Sequence, residues 1–364
     1  MKKQLSKPKQ ILFVSGREID YTRNDVIIRA LSQIGNVEVI GAIGSGSILW
    51  RSIYFAIKSL WYNFTQNYDV IVVGFYGHLL MLPLGLFTRT PIVFDAFLST
   101  FDTLVEDRQQ FSGTSILGRL AYWLDKTACS LATHVVLDTP QHIEYFAKTF
   151  HLPANKFSCI PVGCNEDIFH PRQFVKTDRR ETTVLFYGSY LPLHGTDIIV
   201  RAAAMLANES IRFKMIGQGP KYAETVALAQ KLQLKNIDFL PPVPLIELPE
   251  HIASADICIG GHFGTSQKAA RVVPGKIYQM LAMARPVIAA ASAANTSILV
   301  DNITAKLCSP NDPEGLSEAI LELHRKSYQR VRLGKNGYNL YKQTFSETAI
   351  VKHLQHIIST TTKL

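Results

Sequence analysis

Cysteine is scarce in this chain, and the few cysteines follow no pattern. There are five among 364 residues, with no C-x-x-C pair and no regular spacing. Such a set is typical of free thiols in a reducing compartment rather than of a disulfide framework. We therefore expect a cytoplasmic protein.

Long apolar runs are missing as well. The longest charge-poor stretch, residues 70–88, is broken by Gly74, Gly77 and Pro83, whereas a membrane-spanning helix needs about 20 continuous apolar residues. The basic N-terminus is followed by an apolar run of only Ile11 to Val14, which is too short for a secretory signal. The sequence predicts neither a spanning helix nor a leader peptide.

Charged side chains make up only 18% of the chain, and basic residues outnumber acidic ones. The net charge is +9, and most of it lies in the second half. Such a bias suits a phosphate-bearing ligand or an anionic membrane surface. No basic run is interleaved with aromatic residues in the manner of a nucleic-acid-binding face, so nucleic acid is not an expected partner.

The chain is long and apolar enough, with 47% hydrophobic residues, for two domains. Short apolar runs alternate with helix-length segments throughout, which is typical of parallel sheets in α/β proteins. The pattern predicts two Rossmann-like domains. The predicted strands are Ile11–Val14, Val37–Ile40, Val70–Val73, Ile92–Phe94 and His134–Leu137, then Thr183–Phe186, Arg212–Ile216, Ile237–Leu240, Ile257–Ile259 and Val287–Ala290.

The domain boundaries follow from a polar, aperiodic linker that begins near His170. We assign residues 1–172 to an N-terminal domain and residues 180–345 to a C-terminal domain. Residues 346–364 have apolar positions at helical spacing and a good N-cap in Ser346. One interpretation of this last helix is that it packs back on the N-terminal domain.

Two segments of the second half are candidates for ligand binding. Gly188 follows a strand and leads toward a helix whose free N–H groups could face an anion. Lys268, Arg271 and Lys276 cluster near Pro274, which opens a further helix. The alternative interpretations are an ordinary strand-to-helix turn and a solvated basic surface.

The order and spacing of several segments resemble the retaining nucleotide-sugar glycosyltransferases of the GT-B fold, in glycosyltransferase family 4 (glycosyl transferases group 1). The resemblance covers most of residues 130–345. The segments that carry it are LATHVVLDTPQH (131–142), NKFSCIPVGCNEDIFHP (155–171), VLFYGSYLPLHGTDIIVRAA (184–203), FKMIGQGP (213–220), ADICIG (255–260), PGKIYQMLAMARPVIAA (274–290) and LCSPNDPEGLSEAILEL (307–323).

The resemblance implies two Rossmann-like domains that face each other across a cleft. It also implies transfer of a hexose from a nucleoside diphosphate sugar to a carbohydrate or lipid-linked acceptor, with retention of anomeric configuration and with no cofactor. The sequence contains no Asp-x-Asp motif, which fits departure of the diphosphate without a metal ion. The alternatives are an inactive GT-B protein that binds nucleotide sugars and a GT-B nucleotide-sugar epimerase.

The resemblance also suggests site residues, with two departures from the family pattern. Arg271 and Gln279 stand where the family has a pair of glutamates, and His194 stands where it has a lysine. The expected catalytic residues are Asp95, Arg271 and Lys276. The expected donor-binding residues are Gly188, Ser189, His194, Gly195, Gly217, Gly264 and Gln279. The expected acceptor-binding residues are Gly16, Arg17 and Asp102, and no metal ligand is expected.

Residues 47–66 form a predicted helix that is unusually aromatic and weakly basic. One interpretation is peripheral contact with the inner face of a membrane, near a lipid-linked acceptor. The other is packing against the N-terminal sheet, and the sequence pattern favours packing.

Overall fold

The computed structural model describes residues 8–43, 47–108, 110–172 and 181–362. The chain forms two compact units. Unit 1 contains the described residues up to Gly163 and those from Glu347 onward, and unit 2 runs from Cys164 to Ser346. The chain thus enters unit 2 before the polar linker and returns to unit 1 for its last helix.

Unit 1 is built on a parallel sheet in which the described strands have the order β2-β1-β3-β4-β5-β6. The central strands are fully buried, as runs of Val, Ile and Phe in a covered parallel sheet should be. The strands are β1 (Lys9–Val14), β2 (Gly35–Ile40), β3 (Val70–Val73), β4 (Ile92–Asp95), β5 (His134–Leu137) and β6 (Phe157–Cys159).

Helices cover both faces of this sheet. One face carries α1 and α14, whose apolar side chains pack with Ile11 and Phe13 of β1. The other carries α2 to α5, which pack with Leu12 and Val14. The helices are α1 (Thr22–Ser32), α2 (Ile48–Thr65), α3 (His78–Phe87), α4 (Ile116–Leu131), α5 (Pro140–Phe150) and α14 (Glu347–Thr361), with a π-helical turn at Asp102–Asp107.

Unit 2 has a second parallel sheet, in which the described strands have the order β12-β11-β10-β7-β8-β9. Its longest pairing joins β7 and β8 over seven residue pairs, from Thr182↔Ile211 to Gly188↔Gly217. The strands are β7 (Thr182–Gly188), β8 (Ile211–Gly217), β9 (Ile237–Leu240), β10 (Ile257–Gly261), β11 (Val287–Ala290) and β12 (Lys306–Cys308).

The helices of unit 2 enclose a core of β7, β8, β10 and β11 side chains. A 3₁₀ turn at Pro192–His194 precedes the first of them, and a π-helical turn at Tyr341–Phe345 follows the last. The helices are α6 (Thr196–Met205), α7 (Tyr222–Lys231), α8 (Leu248–Ser254), α9 (Gln267–Arg271), α10 (Gly275–Ala282), α11 (Ala293–Ile298), α12 (Pro313–Arg325) and α13 (Ser327–Leu340).

The structure confirms the predicted fold class of two Rossmann-like α/β domains. All ten predicted strands are present, with ends that differ by at most two residues, and the three-residue strands β6 and β12 are additions. Within the described part of the chain, no helix combines the length and the apolar character needed to cross a bilayer.

Candidate functional site

The strand order of unit 2 locates its most favourable binding position. From β7 the chain continues on one side to β8 and β9, whereas β10, β11 and β12 lie on the other side. In sheets of this kind, ligands bind at the carboxyl ends of the strands where the direction of winding reverses. That point lies between β7 and β10, so the loops after Gly188 and Gly261 line it.

These two loops are held together by their backbones. The N–H of Phe263 donates to the carbonyl of His194 (3.2 Å), and the N–H of Gly264 donates to the carbonyl of Leu193 (3.0 Å). Gly195 has a φ of 62°, and a Cβ there would lie 2.7 Å from the backbone of Phe263. Only glycine adopts this conformation and this close approach without strain.

Together with α10, the two loops form a cluster that we call the basic cradle, defined by Gly188, His194, Gly261, His262 and Lys276. The imidazole rings of His194 and His262 are stacked, with centroids 5.4 Å apart. A Cβ built on Gly188 would lie 3.0 Å from both the His194 ring and Lys276 Nζ. A side chain at Gly188 would therefore crowd both of these groups.

The cradle contains polar groups that the protein itself does not satisfy. Three of its nitrogen atoms are buried and have no hydrogen-bond partner among the described residues, namely His194 Nδ1, His262 Nδ1 and Lys276 Nζ. Lys276 Nζ lies 4.3 Å from the centroid of the Phe186 ring, a cation–π contact. Buried polar groups are normally paired, so three buried nitrogens without a partner among the described residues mark this cluster as a candidate binding site.

Burial changes the ionisation of these groups. It lowers the pKa of Lys276 to about 7, because removal from water disfavours the charged ammonium. Burial, reinforced by the positive charge of Lys276, also lowers the pKa of His194 and His262. At neutral pH the two imidazoles are uncharged, each with one N–H donor, beside an amine that titrates near neutral pH.

This arrangement is suited to an anion. An oxyanion would accept hydrogen bonds from the three nitrogens and would restore the full charge of Lys276. The segments that form the cradle, residues 186–196 and 260–279, contain no Asp or Glu. The cradle therefore has the donor chemistry of a phosphate site.

Gln279 lies one turn after Lys276 in α10, and its side-chain amide oxygen already accepts a hydrogen bond. The hydroxyl of Tyr187 donates to Gln279 Oε1 over 2.8 Å and lies 3.4 Å from the Lys276 carbonyl. Both side chains are buried. Tyr187 therefore fixes the orientation of the Gln279 amide beside the cradle.

The other predicted donor residues surround the cradle with different roles. Gly217 pairs with Gly188 in the neighbouring strand. A Cβ at Gly217 would therefore clash with the Gly188 carbonyl. Gly264 packs against the backbone of Pro192 and Leu193. Ser189 is exposed, and Arg271 ends α9 with a partly buried side chain.

In unit 1 the corresponding reversal of winding lies between β1 and β3, and two predicted acceptor residues are there. A Cβ on Gly16 would clash with the Tyr76 carbonyl. The N–H of Arg17 donates to the Phe75 carbonyl (3.2 Å), and its guanidinium lies 5.6 Å from the Tyr76 ring centroid.

Asp95, a predicted catalytic residue, is buried and paired with an arginine. Its side chain is 2% exposed. Both oxygens accept hydrogen bonds from the buried guanidinium of Arg23, at 2.8 and 3.0 Å. Arg23 also donates to the carbonyls of Ile160 and Pro161. The pair therefore ties α1 and β4 to the segment after β6.

Asp102, the third predicted acceptor residue, is buried at the start of the π-helical turn. A cavity of about 140 Å³ lies beside this turn and is lined in part by Tyr76, His78, Ser99 and Arg108. His78 Nε2 is 3.5 Å from Asp125, which accepts from the Ser99 hydroxyl (2.6 Å). Burial lowers the pKa of His78, and the nearby carboxylate of Asp125 opposes that shift.

The sequence analysis missed His262, Tyr187 and His78. His262 follows the predicted strand Ile257–Ile259 and precedes the Gly264 that was selected, so its place at the end of a strand was a usable signal. Tyr187 directly precedes Gly188, which was selected, but nothing in the local sequence marks its hydroxyl as part of a site. His78 lay in the apolar stretch 70–88, where nothing in the local pattern distinguishes it.

Part of the chain is similar to a known protein family. Residues 181–326, within unit 2, match the family described as "Glycosyl transferases group 1". An uncharacterized glycosyltransferase of Methanocaldococcus jannaschii is 26% identical over 46% of this chain and 45% of its own length. A D-inositol 3-phosphate glycosyltransferase of Mycobacterium is 26% identical over 50% and 42%. The aligned part is thus less than half of either relative.

Solved structures match nearly the whole chain. Sucrose-phosphate synthase of Thermosynechococcus elongatus has a TM-score of 0.74 and 17% identity, covering 97% of this chain and 98% of its own. HepE of Anabaena, solved in complex with UDP, has a TM-score of 0.72 and 15% identity, covering 96% and 100%. The protein has the GT-B fold of glycosyltransferases.

Proposed function

We propose that the protein is a glycosyltransferase that moves a hexose from a nucleoside diphosphate sugar to a hydroxyl of a carbohydrate or lipid-linked acceptor, with retention of anomeric configuration. The observation that supports it most is the basic cradle, with three buried nitrogens that lack a partner among the described residues. The similarity of unit 2 to glycosyl transferases group 1 and of the fold to HepE, which was solved with UDP, supports the choice of ligand.

The cradle would act on the leaving diphosphate. When the bond to the sugar breaks, negative charge develops on a phosphate oxygen. Lys276, His194 and His262 supply preorganised donors at a site from which water is largely excluded, where such donors are most effective. The diphosphate also raises the protonated fraction of Lys276, because an anion favours the charged ammonium.

We propose further that the reaction needs no metal ion and no cofactor. The charge of the diphosphate is compensated by the cradle, whose segments carry no carboxylate that could hold a divalent cation. The free cysteines suit a cytoplasmic enzyme.

The test is turnover with a panel of nucleoside diphosphate hexoses in excess chelator. The proposal expects release of nucleoside diphosphate that depends on the acceptor, at an undiminished rate when metal is removed. Proton NMR of the product should show the anomeric configuration of the donor. Activity that disappears with chelator and returns with Mn²⁺ would contradict the metal-free mechanism.

Two other results would replace the proposal. Tight nucleotide binding without turnover of any donor would identify a binding protein, a result that Arg271 and Gln279 in place of the family glutamates would explain. Conversion of the donor sugar to its epimer without an acceptor would identify an epimerase. In either case the assignment of the nucleotide site would still hold, but the proposed transfer reaction would be wrong.

A further inference from the structure

The helix α2 has the reverse of the usual distribution of side chains on a surface helix, because its large apolar side chains are mostly exposed. Its buried positions hold Ser52, Phe55, Ala56 and Ser59, which are mostly small. Its exposed positions are large and apolar, and they recur at helical spacing: Leu49, Trp50, Ile53, Tyr54, Ile57, Trp61 and Phe64. Packing against the sheet, the interpretation that the sequence favoured, therefore does not account for the aromatic residues.

Two neighbouring helices extend this face. The helix α3 packs against both α2 and α4, and all three cover the same side of the unit 1 sheet. We call their exposed apolar side chains the aromatic surface. On α3 and α4 it comprises Leu86, Phe87, Ile116, Leu117, Leu120 and Trp123, each at least 51% exposed. Exposed apolar side chains grouped on neighbouring helices mark interaction sites.

The charged side chains of these three helices are mostly basic, and one of them, Arg51, pairs with Glu18 (3.5 Å). The three helices contain Arg51, Lys58, Arg119 and Lys126, and their one carboxylate, Asp125, is fully buried. Another copy of this surface would bring like charges together across a symmetric contact. An anionic lipid headgroup layer offers the opposite charge, with an apolar layer directly beneath it.

We propose that the aromatic surface binds an anionic lipid bilayer, with α2 lying in the plane of the headgroups. Tryptophan, tyrosine and phenylalanine are favourable in this interfacial layer because their rings combine an apolar body with polar or polarisable edges. The basic side chains of α2 and α4 contact lipid phosphates. This proposal concerns unit 1 alone and does not depend on the transfer reaction.

The tryptophans provide a direct probe. The chain has three, and Trp50, Trp61 and Trp123 all lie in the aromatic surface, at 71%, 66% and 51% exposure. On addition of vesicles of equal parts phosphatidylglycerol and phosphatidylcholine, we expect a blue shift of tryptophan emission, quenching by brominated lipid, and co-sedimentation. Pure phosphatidylcholine vesicles should bind at least about tenfold more weakly, and added salt should weaken binding to the anionic vesicles.

A pair of double variants distinguishes vesicle binding through the aromatic surface from nonspecific adsorption. Trp61→Ser with Phe64→Ser should lower the vesicle partition coefficient at least about tenfold, since each exposed ring buries substantial apolar area on insertion. The control, Tyr328→Ser with Val331→Ser, removes side chains of α13 in unit 2 that are 66% and 72% exposed. It should leave partition unchanged, and circular dichroism should match the parent for both.

The opposite results would overturn the proposal. They are no binding to anionic vesicles, or equal loss of binding in both double variants. A concentration-dependent dimer in analytical ultracentrifugation that only the α2 variant dissociates, with no vesicle binding, would show that a second copy covers the surface instead.

Discussion

Burial of the Lys276 ammonium group lowers the stability of the ligand-free protein. This group is buried, without a hydrogen-bond partner among the described residues, and its pKa falls from 10.5 to about 7. Destabilising burial of this kind is concentrated at functional sites, where binding of a ligand rather than folding offsets it.

Replacing Lys276 with methionine should therefore stabilise the protein. The variant keeps the volume of the side chain and removes the buried charge, so at pH 6 to 7 the free energy of unfolding should rise by about 1 to 3 kcal/mol. The measurement is urea unfolding at several pH values.

The pH dependence of this gain follows from the direction of the shift. Because the pKa of Lys276 is lower in the folded protein, the unfolded chain binds more protons between about pH 7 and 10.5, and the parent gains stability as pH rises through that window. The advantage of Lys276→Met should thus shrink toward pH 10. Lys221→Met, at an exposed lysine paired with Glu224, is the control and should show no such trend.

Gln279 should be coupled to Tyr187. Gln279→Leu leaves a buried tyrosine hydroxyl without its 2.8 Å acceptor, which should lower the free energy of unfolding by about 1 to 3 kcal/mol. Gln279→Glu keeps an acceptor and should cost less. In the double variant with Tyr187→Phe, the loss from Gln279→Leu should become smaller, and strictly additive losses would show that this hydrogen bond contributes nothing.

Asp95 illustrates what the sequence could not show at this scale. Its position after a strand made it a reasonable candidate for a carboxylate at a strand end. Its partner Arg23 lies 72 residues earlier, and no local pattern predicts a bidentate pair across that distance. Gly188, His194 and Lys276 could be selected because each lies in a loop or first turn where ligand-binding groups are common.

At the scale of elements, α14 is the helix whose placement depends most on tertiary contacts. Ile350, Leu354 and Ile357 pack with residues of α1 and β1, far from them in the chain. Leu354→Ala should lower the free energy of unfolding by about 2 to 5 kcal/mol, since Leu354 is buried and a cavity would remain. Lys352→Ala, at an exposed position of the same helix, should cost less than about 0.5 kcal/mol. Equal effects would contradict this packing.

The alternation of strands and helices was predictable because buried parallel strands are nearly continuous apolar runs. The strands β6 and β12 were not, because each has only three residues and sits at the edge of its sheet. The inverted character of α2 was also hidden. An all-round apolar helix has no marked polar face, so the sequence does not indicate which of its sides meets the sheet.

At the scale of the whole molecule, the cradle should link nucleotide binding to proton uptake. Burial lowers the pKa of Lys276 to about 7, and a bound diphosphate should raise it. Affinity should therefore fall between pH 7 and 9, where the free nucleotide is already fully ionised, by up to about tenfold per pH unit. Calorimetry in buffers of different ionisation enthalpy should detect up to one proton taken up by the parent and none by Lys276→Met.

The most direct test of the account is whether the space beside Gly188 holds the diphosphate. Calorimetric titration with UDP, GDP and ADP in excess chelator should show binding of at least one of them to the parent protein. Gly188→Ala places a methyl group 3.0 Å from the His194 ring and Lys276 Nζ and should weaken that binding at least about tenfold, because two charge-assisted or neutral hydrogen bonds are lost. Gly113→Ala, whose new Cβ meets only ordinary contacts of 3.5 Å or more, should bind as the parent does. Unchanged affinity in Gly188→Ala, or no binding of any of the three nucleotides, would contradict the assignment of the cradle as the diphosphate site.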